Sequence, residues 1–420
     1  MSPNSDQAPK DTQPTKTPRQ ATIIFIFITV VLDVLSLGVI IPVLPKLIEE
    51  EFLNGDTARA ALYTGYFGTT WAAMQFLFSP LLGALSDRFG RRKVILISCL
   101  GLGLDYILMA LAPNLTWLFV GRVLSGITAA SFATASAYIA DVTPPEKRAG
   151  SFGMIGAAWG IGFVIGPALG GYLGAVDLRL PFWAAAALTL INVVYGFFIL
   201  PESLPLEDRS KFSWRKANPG GSLKLLRSHP ELLGLASILL LYQLAHQVYP
   251  SVFVLFAGHR FSWGTERVGL FLMVVGIVGV IMQGYVVRRT SGFLGERRML
   301  HVALLFGAAG YLLYAFIDSG RWIWIAIPVF ALVGFFSPAI QGLMTKRVGR
   351  DEQGQLQGAN SSLMGIAGML GPVIFTRIFY AGINENSDYQ MPGAPFVLAA
   401  GLHVVGIILS FFVLSRGPRE

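Results

Sequence analysis

Long, uninterrupted apolar runs dominate the chain. Residues 21–41 carry Asp33 as their only charge, and residues 231–257 carry none after the first residue. Residues 393–415 contain no acid, Lys or Arg. About 20 apolar residues cross the hydrocarbon of a bilayer as one helix. Reading each run in turn predicts twelve spans, near 21–41, 61–83, 94–112, 117–140, 150–174, 181–200, 231–257, 266–287, 299–317, 322–344, 356–381 and 393–415. One connection is long: residues 201–230 are basic and punctuated by Pro201, Pro205, Pro219 and the pair Gly220-Gly221. Such a stretch reads as a linker.

The expected fold is an all-α membrane protein of two pseudo-symmetric six-helix bundles. The expected divisions are a disordered cytoplasmic tail at 1–20, bundles at 21–200 and 231–415, a cytoplasmic linker at 201–230, and a short cytoplasmic tail at 416–420. An internal repeat supports two halves. At one offset of 205 residues, Gly90 falls on Gly295, Tyr106 on Tyr311, Gly153 on Gly358, and Gly166-Pro167 on Gly371-Pro372. Parallel repeats with a site at their interface are an alternating-access architecture.

Composition agrees with this reading. Of 420 residues 54% are hydrophobic and 13% charged. Lipid, unlike water, tolerates apolar helix exteriors. The net charge of +8 in a soluble protein would raise nucleic acid as a partner. Here the cations sit in short loops, so no nucleic acid is expected. Lys and Arg favour cytoplasmic loops. With the N-terminus inside, the outer loops hold only Lys46, Arg59, Arg179, Arg260, Arg267 and Arg321, so both termini are expected to be cytoplasmic. No small-residue cleavage site follows the first run, which reads as an uncleaved span. The single cysteine, Cys99, permits no intrachain disulfide and reads as a packing residue.

Three features carry candidate chemistry. The loop Gly83-Ala84-Leu85-Ser86-Asp87-Arg88-Phe89-Gly90-Arg91-Arg92-Lys93 packs four cations and one acid between spans 2 and 3. It can fix topology alone, or pair with neighbouring helix ends. Gly162, Gly166, Pro167, Gly170 and Gly171 in span 5 combine close helix approach with a proline bend. Asp33, Asp105 and Arg122 are ionisable groups within spans, and such groups are functional candidates by default. Arg122 needs a partner, for which Asp33 is the plausible acid; the rival is a static ion pair. In span 7, Tyr242, His246, Tyr249 and Phe253 recur at helical spacing beside Gln243 and Gln247. That face offers stacking and hydrogen bonds to a planar amphipathic ligand. Gln75, Gln283, Gln341 and Asn360 are further intramembrane polar groups, facing a central cavity or bonding between helices. No enzyme chemistry, metal site, cofactor or phosphate-cradling loop is expected.

At these residues the chain resembles the major facilitator superfamily, over nearly its whole length. The resemblance implies a conformational latch of Gly83, Asp87, Arg88, Gly90, Arg91 and Arg92 with Asp141. It reads Arg122 with Gly126 as the span-4 motif of proton-coupled members, and Gly162–Gly171 as the antiporter motif. More narrowly the chain resembles the tetracycline/proton antiporters, through Asp33-Val-Leu-Ser-Leu-Gly38, Pro42-Val-Leu-Pro45, Met74-Gln75-Phe76, Asp105-Tyr106, Tyr138-Ile139-Ala140-Asp141 and Gln353–Gly358. It departs from them where that branch carries a span-8 His and a span-9 Asp, which fall here on Gly279 and Gly307. Proton coupling is then expected to rest on Asp33, Asp105 and Arg122, with His246.

The expectation is a proton-coupled efflux antiporter for amphipathic small molecules, tetracycline-like or multidrug. Its partners would be substrate, protons and the lipid bilayer, and it would be a monomer in a bacterial inner membrane. A lipid, siderophore or metabolite carrier of the same fold is the nearest alternative. A non-transporting receptor or scaffold is a third, disfavoured because a scaffold has no use for polar groups within its spans.

Overall fold

The computed structural model describes residues 20–129, 131–144, 147–210, 225–226, 229–349, 352–387 and 390–415. The expected tails, apart from Gln20, and linker residues 211–224 lie outside the described residues. Among the described residues the chain is helical, with no strand. In chain order the spans are as follows. Span 1 is Gln20–Ile40, continued by Leu44–Leu47 and the π-helical turn Ile48–Phe52; span 2 is Thr57–Phe89; span 3 is Arg91–Leu111. Span 4 is Leu115–Thr128 with Ser131–Val142, span 5 is Arg148–Val176, and span 6 is Leu180–Ile199. Span 7 is Pro230–His246 with Val248–Phe261. Spans 8 and 9 run as Thr265–Ile281, Met282–Val286 and Val287–Phe316, divided by the kink at Gly295. Span 10 is Ile323–Ile325, Ala326–Ala331, Leu332–Phe335 and Phe336–Thr345; span 11 is Gln353–Ile383; span 12 is Ala394–Ser415.

Nine helices among the described residues are long and apolar enough to cross a membrane, and one of these, Thr265–Phe316, holds spans 8 and 9 together. Span 4 falls short because it breaks near Ala129. Span 2 is long enough but not apolar enough. It spends positions on Thr64, Gly68, Trp71 and Gln75, which border an internal cavity. Span 7 also departs from the expected single helix. Pro250 has no backbone N–H to give to His246, and the helix breaks at Gln247.

Glycine decides which helices meet. A Cβ on Gly166 would stand 2.7 Å from the Gly38 Cα, and one on Gly170 would stand 1.9 Å from the Val39 carbonyl oxygen. Gly162 likewise meets Val34, so three glycines of span 5 seat it on span 1. Its next residue, Gly171, faces the other way, against Thr265 and Gly269 of span 8. Span 11 repeats the arrangement. Gly371 meets Gln247 of span 7, and the Pro372 carbonyl lies against Gly65 of span 2. Each Gly-Pro pair therefore joins a neighbour in its own half to one in the other half.

The repeat extends to bonds and turns. Between the halves, Thr265 Oγ1 donates to the Gly171 carbonyl at 3.1 Å, and Thr69 Oγ1 donates to the Met369 carbonyl at 2.8 Å. Gly90 and Gly295, matched in sequence, both adopt positive φ, 101° and 69°. That region favours glycine, and it makes the hairpin between spans 2 and 3 and between spans 8 and 9.

Contacts between the halves run along spans 5 and 8, where Gly160 meets Val280 and Gly276 meets Val164, and along spans 2 and 11, where Gly365 meets Phe76. The contacts of Gly65, Gly171 and Lys46, the last against Gly258, lie away from the 2–3 hairpin. Towards that hairpin, Cβ atoms on Gly83, Gly153, Gly156, Gly279 and Gly354 would meet nothing within 4 Å. Gly170→Ala is therefore expected to lower stability by about 1–3 kcal/mol, the usual cost of overpacking, whereas Gly156→Ala is expected to be neutral or slightly stabilising. The unfolding midpoint is read with a thiol-reactive dye, because Cys99, the only cysteine, is buried.

Candidate functional site

Between the halves lies a cavity of about 610 Å³, walled by spans 2, 7 and 11. Its polar lining includes Thr64, Trp71 and Gln75 from span 2, Gln243 and Gln247 from span 7, and Ser361 from span 11. Trp71 Nε1, Thr64 Oγ1 and Ser251 Oγ, all at this wall, have no hydrogen-bond partner among the described residues. Apolar surface combined with the amides of Gln75, Gln243 and Gln247 suits a ligand of mixed polarity. Span 4 backs this wall. Gly126 lets it approach so closely that a Cβ there would stand 2.6 Å from the Trp71 carbonyl oxygen.

Of the residues expected to meet substrate, Gln75 borders this cavity. Asp105, Tyr242, His246, Tyr249, Phe253, Gln283, Gln341 and Asn360 lie outside its wall. Gln283 donates to the Gly334 carbonyl at 3.1 Å, and Gln341 accepts from Gln357 at 3.2 Å. Asn360 is buried, with both amide atoms unpartnered. Phe253 is 1% exposed and stacks on Phe271, as part of the core. Tyr242 stacks on Phe336 and Tyr249 on Phe253, while His246 is exposed beside Tyr242.

The charges of the first half pair differently from expectation. Asp33 is held by span 6 and span 3. Its carboxylate accepts from Asn192 Nδ2 at 3.0 Å and from the Cys99 thiol at 3.6 Å. Cys99 is thus a packing residue that also donates. Arg122 turns instead to Asp105, with Nη2 3.9 Å from Oδ2, and it also donates to Met109 Sδ at 3.2 Å and Ser125 Oγ at 3.4 Å. Gly121 makes room for this pair, since a Cβ there would lie 2.8 Å from Asp105 Oδ1. Both residues are buried. A buried pair held at such a distance gains little and is costly to break from one side.

The 2–3 hairpin is organised around Arg91. Its guanidinium bonds Asp87, donates to Ser86 Oγ at 2.7 Å, and donates to Asp141 at 3.1 Å, so that the ends of spans 2, 3 and 4 converge. Arg88 lies over the Phe89 ring, and Arg92 bonds the Phe197 carbonyl. Sequence reasoning passed over Glu202. Its carboxylate accepts from the backbone N–H of Arg91 at 2.8 Å and of Arg92 at 3.4 Å, capping span 3. A Cβ on Gly90 would collide with that carboxylate, at 2.2 Å. Ser203 Oγ donates to Asp141 at 3.1 Å, and Ser210 N–H donates to the Asp87 carbonyl at 3.1 Å. The available signal was an acid just after span 6, opposite in sign to the hairpin.

The family model of the Major Facilitator Superfamily matches residues 26–372 and 294–420. The chain is 38% identical over 386 residues to the tetracycline resistance protein, class C, of Escherichia coli, covering 91% of this chain and 94% of that one. It is 30% identical to multidrug resistance protein 2 of Bacillus subtilis, covering 91% and 94%. Among solved structures, the human organic anion transporter MFSD10 superposes with a TM-score of 0.69 at 22% identity, covering 94% and 100%.

The Asp105–Arg122 geometry generates a prediction. Arg122→Ala leaves a buried carboxylate without its cation and is expected to cost about 3–5 kcal/mol. Adding Asp105→Asn is expected to recover part of that loss, as read by the thermal midpoints of the two single variants and the double variant.

Proposed function

The chain belongs to the Major Facilitator Superfamily, and from that premise we propose that it is a proton-coupled efflux antiporter for amphipathic small molecules, tetracycline-like or of a wider drug range. It is a multi-pass membrane transporter and not an enzyme. In this reading it works as a monomer in a bacterial inner membrane, with both termini cytoplasmic. Residues 21–200 and 231–415 act as the two rocking bodies, and residues 201–230 link them.

One observation carries the reading: a cavity of mixed polarity lies between the halves, with the Lys46–Gly258 and Thr265–Gly171 contacts away from the basic hairpin and open space at Gly83, Gly156 and Gly354 towards it. Basic loops favour the cytoplasm, so that opening faces the cell interior, where a drug would be collected. Polar groups on Trp71, Gln75, Gln243 and Gln247 would orient a planar ligand whose apolar faces lie against Phe76 and Pro372. Export follows when the spans 5–8 and 2–11 contacts swap ends. Protons supply the driving force through Asp105. A proton on its carboxylate cancels the attraction to Arg122, so occupancy by a proton or by Arg122 marks alternative states of the first half. Asp33 is a second candidate acid, already held by Asn192 and Cys99. Asp87, Arg91 and Asp141 would close the hairpin onto span 4 in the inward-open state.

The test is gradient-driven flux in proteoliposomes. An imposed proton gradient is expected to drive accumulation of a tetracycline-class probe, and adding the probe is expected to speed the flow of protons down that gradient. Asp105→Asn is expected to abolish gradient-driven accumulation, and Asp87→Asn to cripple turnover without loss of protein from the membrane. Wild-type flux that ignores the gradient would overturn the antiport reading.

A further inference from the structure

The second half has no acid, Lys or Arg in the middle of its spans. Residues 232–258, 299–317, 322–344, 353–376 and 394–415 contain none, apart from Arg321 and Arg377 just beyond these limits and the hinge pair Arg297-Arg298 before span 9. Their titratable groups are imidazoles and phenols. One imidazole, His403 of span 12, is 0% exposed. It sits where span 9 leaves room. A Cβ on Gly307 would stand 2.6 Å from His403 Cδ2 and 2.7 Å from its Nε2, so any side chain at Gly307 would displace the ring.

The tautomer of this ring follows from its partner. Nδ1 lies 3.2 Å from the Ala399 carbonyl. A carbonyl can only accept, so Nδ1 carries the hydrogen and Nε2 presents a lone pair. Nε2 has no hydrogen-bond partner among the described residues, nor has the hydroxyl of Tyr311 close by. The ring is boxed by Tyr242 of span 7, with centroids 5.7 Å apart, and by Tyr311 of span 9, at 5.2 Å. Tyr242 is tilted and Tyr311 edge-on to the imidazole, so the ring sits among phenols, with no carboxylate of the described residues beside it. Span 10 contributes Phe330, Val333 and Phe336 and no titratable group near the ring, and span 11 contributes no charged residue at this depth. Tyr242 in turn stacks on His246 at 5.8 Å, and His246 is exposed. Tyr242 thus stands between the exposed ring of His246 and the buried ring of His403.

We propose that His403 is a second-half proton-binding site of the transport cycle, boxed by Tyr242 and Tyr311 and reached past Tyr242 from His246. A proton from water adds to the Nε2 lone pair, forming an imidazolium, and returns to water from the same nitrogen when the halves rearrange. No electrons are transferred. The proposal rests on the antiport reading above in supposing that protons drive the cycle. Gly307 is a positioning residue, since a side chain there would displace the ring.

The test reads the imidazole directly. In the full chain with 15N-labelled histidine, five imidazoles are present, and the His403 signal is the one missing from His403→Gln. Its ring is expected to change protonation between about pH 5 and 8, the range in which histidines titrate, or on adding the tetracycline-class probe. A ring that stays neutral and Nδ1-protonated throughout, with and without probe, would overturn the proposal. In vesicles, His403→Gln is expected to lower the ratio of gradient-driven accumulation to probe exchange by roughly 5- to 150-fold, the usual span of coupling between two sites. An unchanged ratio would also overturn it. Gly307→Ala is expected to shift the same signal and lower the same ratio, without removing the imidazole. Failure of the parent reading is recognised separately, as wild-type flux indifferent to the gradient.

Discussion

Backbone-to-backbone contact at glycine is the constraint on which the rest of this molecule depends. In lipid there is no hydrophobic drive between helices, so close packing must hold them together. Span 5 presents Gly162, Gly166 and Gly170 to span 1 and Gly171 to span 8. Span 11 does the same between spans 7 and 2 with Gly371 and Pro372. The contacts between the halves are extensive but concentrated on two helix pairs, spans 5 with 8 and 2 with 11, where bare backbone meets backbone and single threonine hydroxyls bond across. Such an interface can open at one end while it closes at the other, which a broad interlocked interface cannot do.

Polarity is then distributed by halves. The first half keeps its charges, and it pairs them across helices: Asp105 with Arg122, and Asp33 with Asn192 and Cys99. The second half builds with packed rings, Tyr249, Tyr311 and Tyr314 around Phe330 and Phe396, and Tyr242 against Phe336. A ring wall tolerates lipid depth without a counter-ion, whereas a carboxylate demands a donor. Polar surface for a ligand lies at the seam, on spans 2, 7 and 11.

Much of this was legible in the sequence, and the reasons differ by feature. The spans follow from apolar runs, and the two halves follow from a repeat that the structure expresses as matched turns at Gly90 and Gly295. The Gly-Pro motif in span 5 announced close packing because glycine spacing is local information. The partner of Arg122 was not legible, because a side chain's reach across helices depends on their rotation. Asp33, Asp105 and Arg122 look alike as intramembrane charges, and only packing assigns Asp105 to the arginine. Span 7 was read as one continuous face, but Pro250 divides it, so Phe253 joins the core instead of a ligand surface. His403 was passed over because one histidine in an apolar run carries no spacing signal; its meaning comes from a glycine 96 positions earlier in the chain.

The cap that Glu202 places on span 3 has a consequence for where the polypeptide ends one body and begins the next. Pro201 to Ser210 are stitched to the first half, through the Tyr138 hydroxyl on the Pro201 carbonyl, Ser203 on Asp141 and Ser210 on Asp87. The mechanical border therefore lies beyond Ser210, ten residues past the last turn of span 6. A first half expressed as its own polypeptide would keep its hairpin closed only if it carried that segment. The same ten residues would be dead weight on the second.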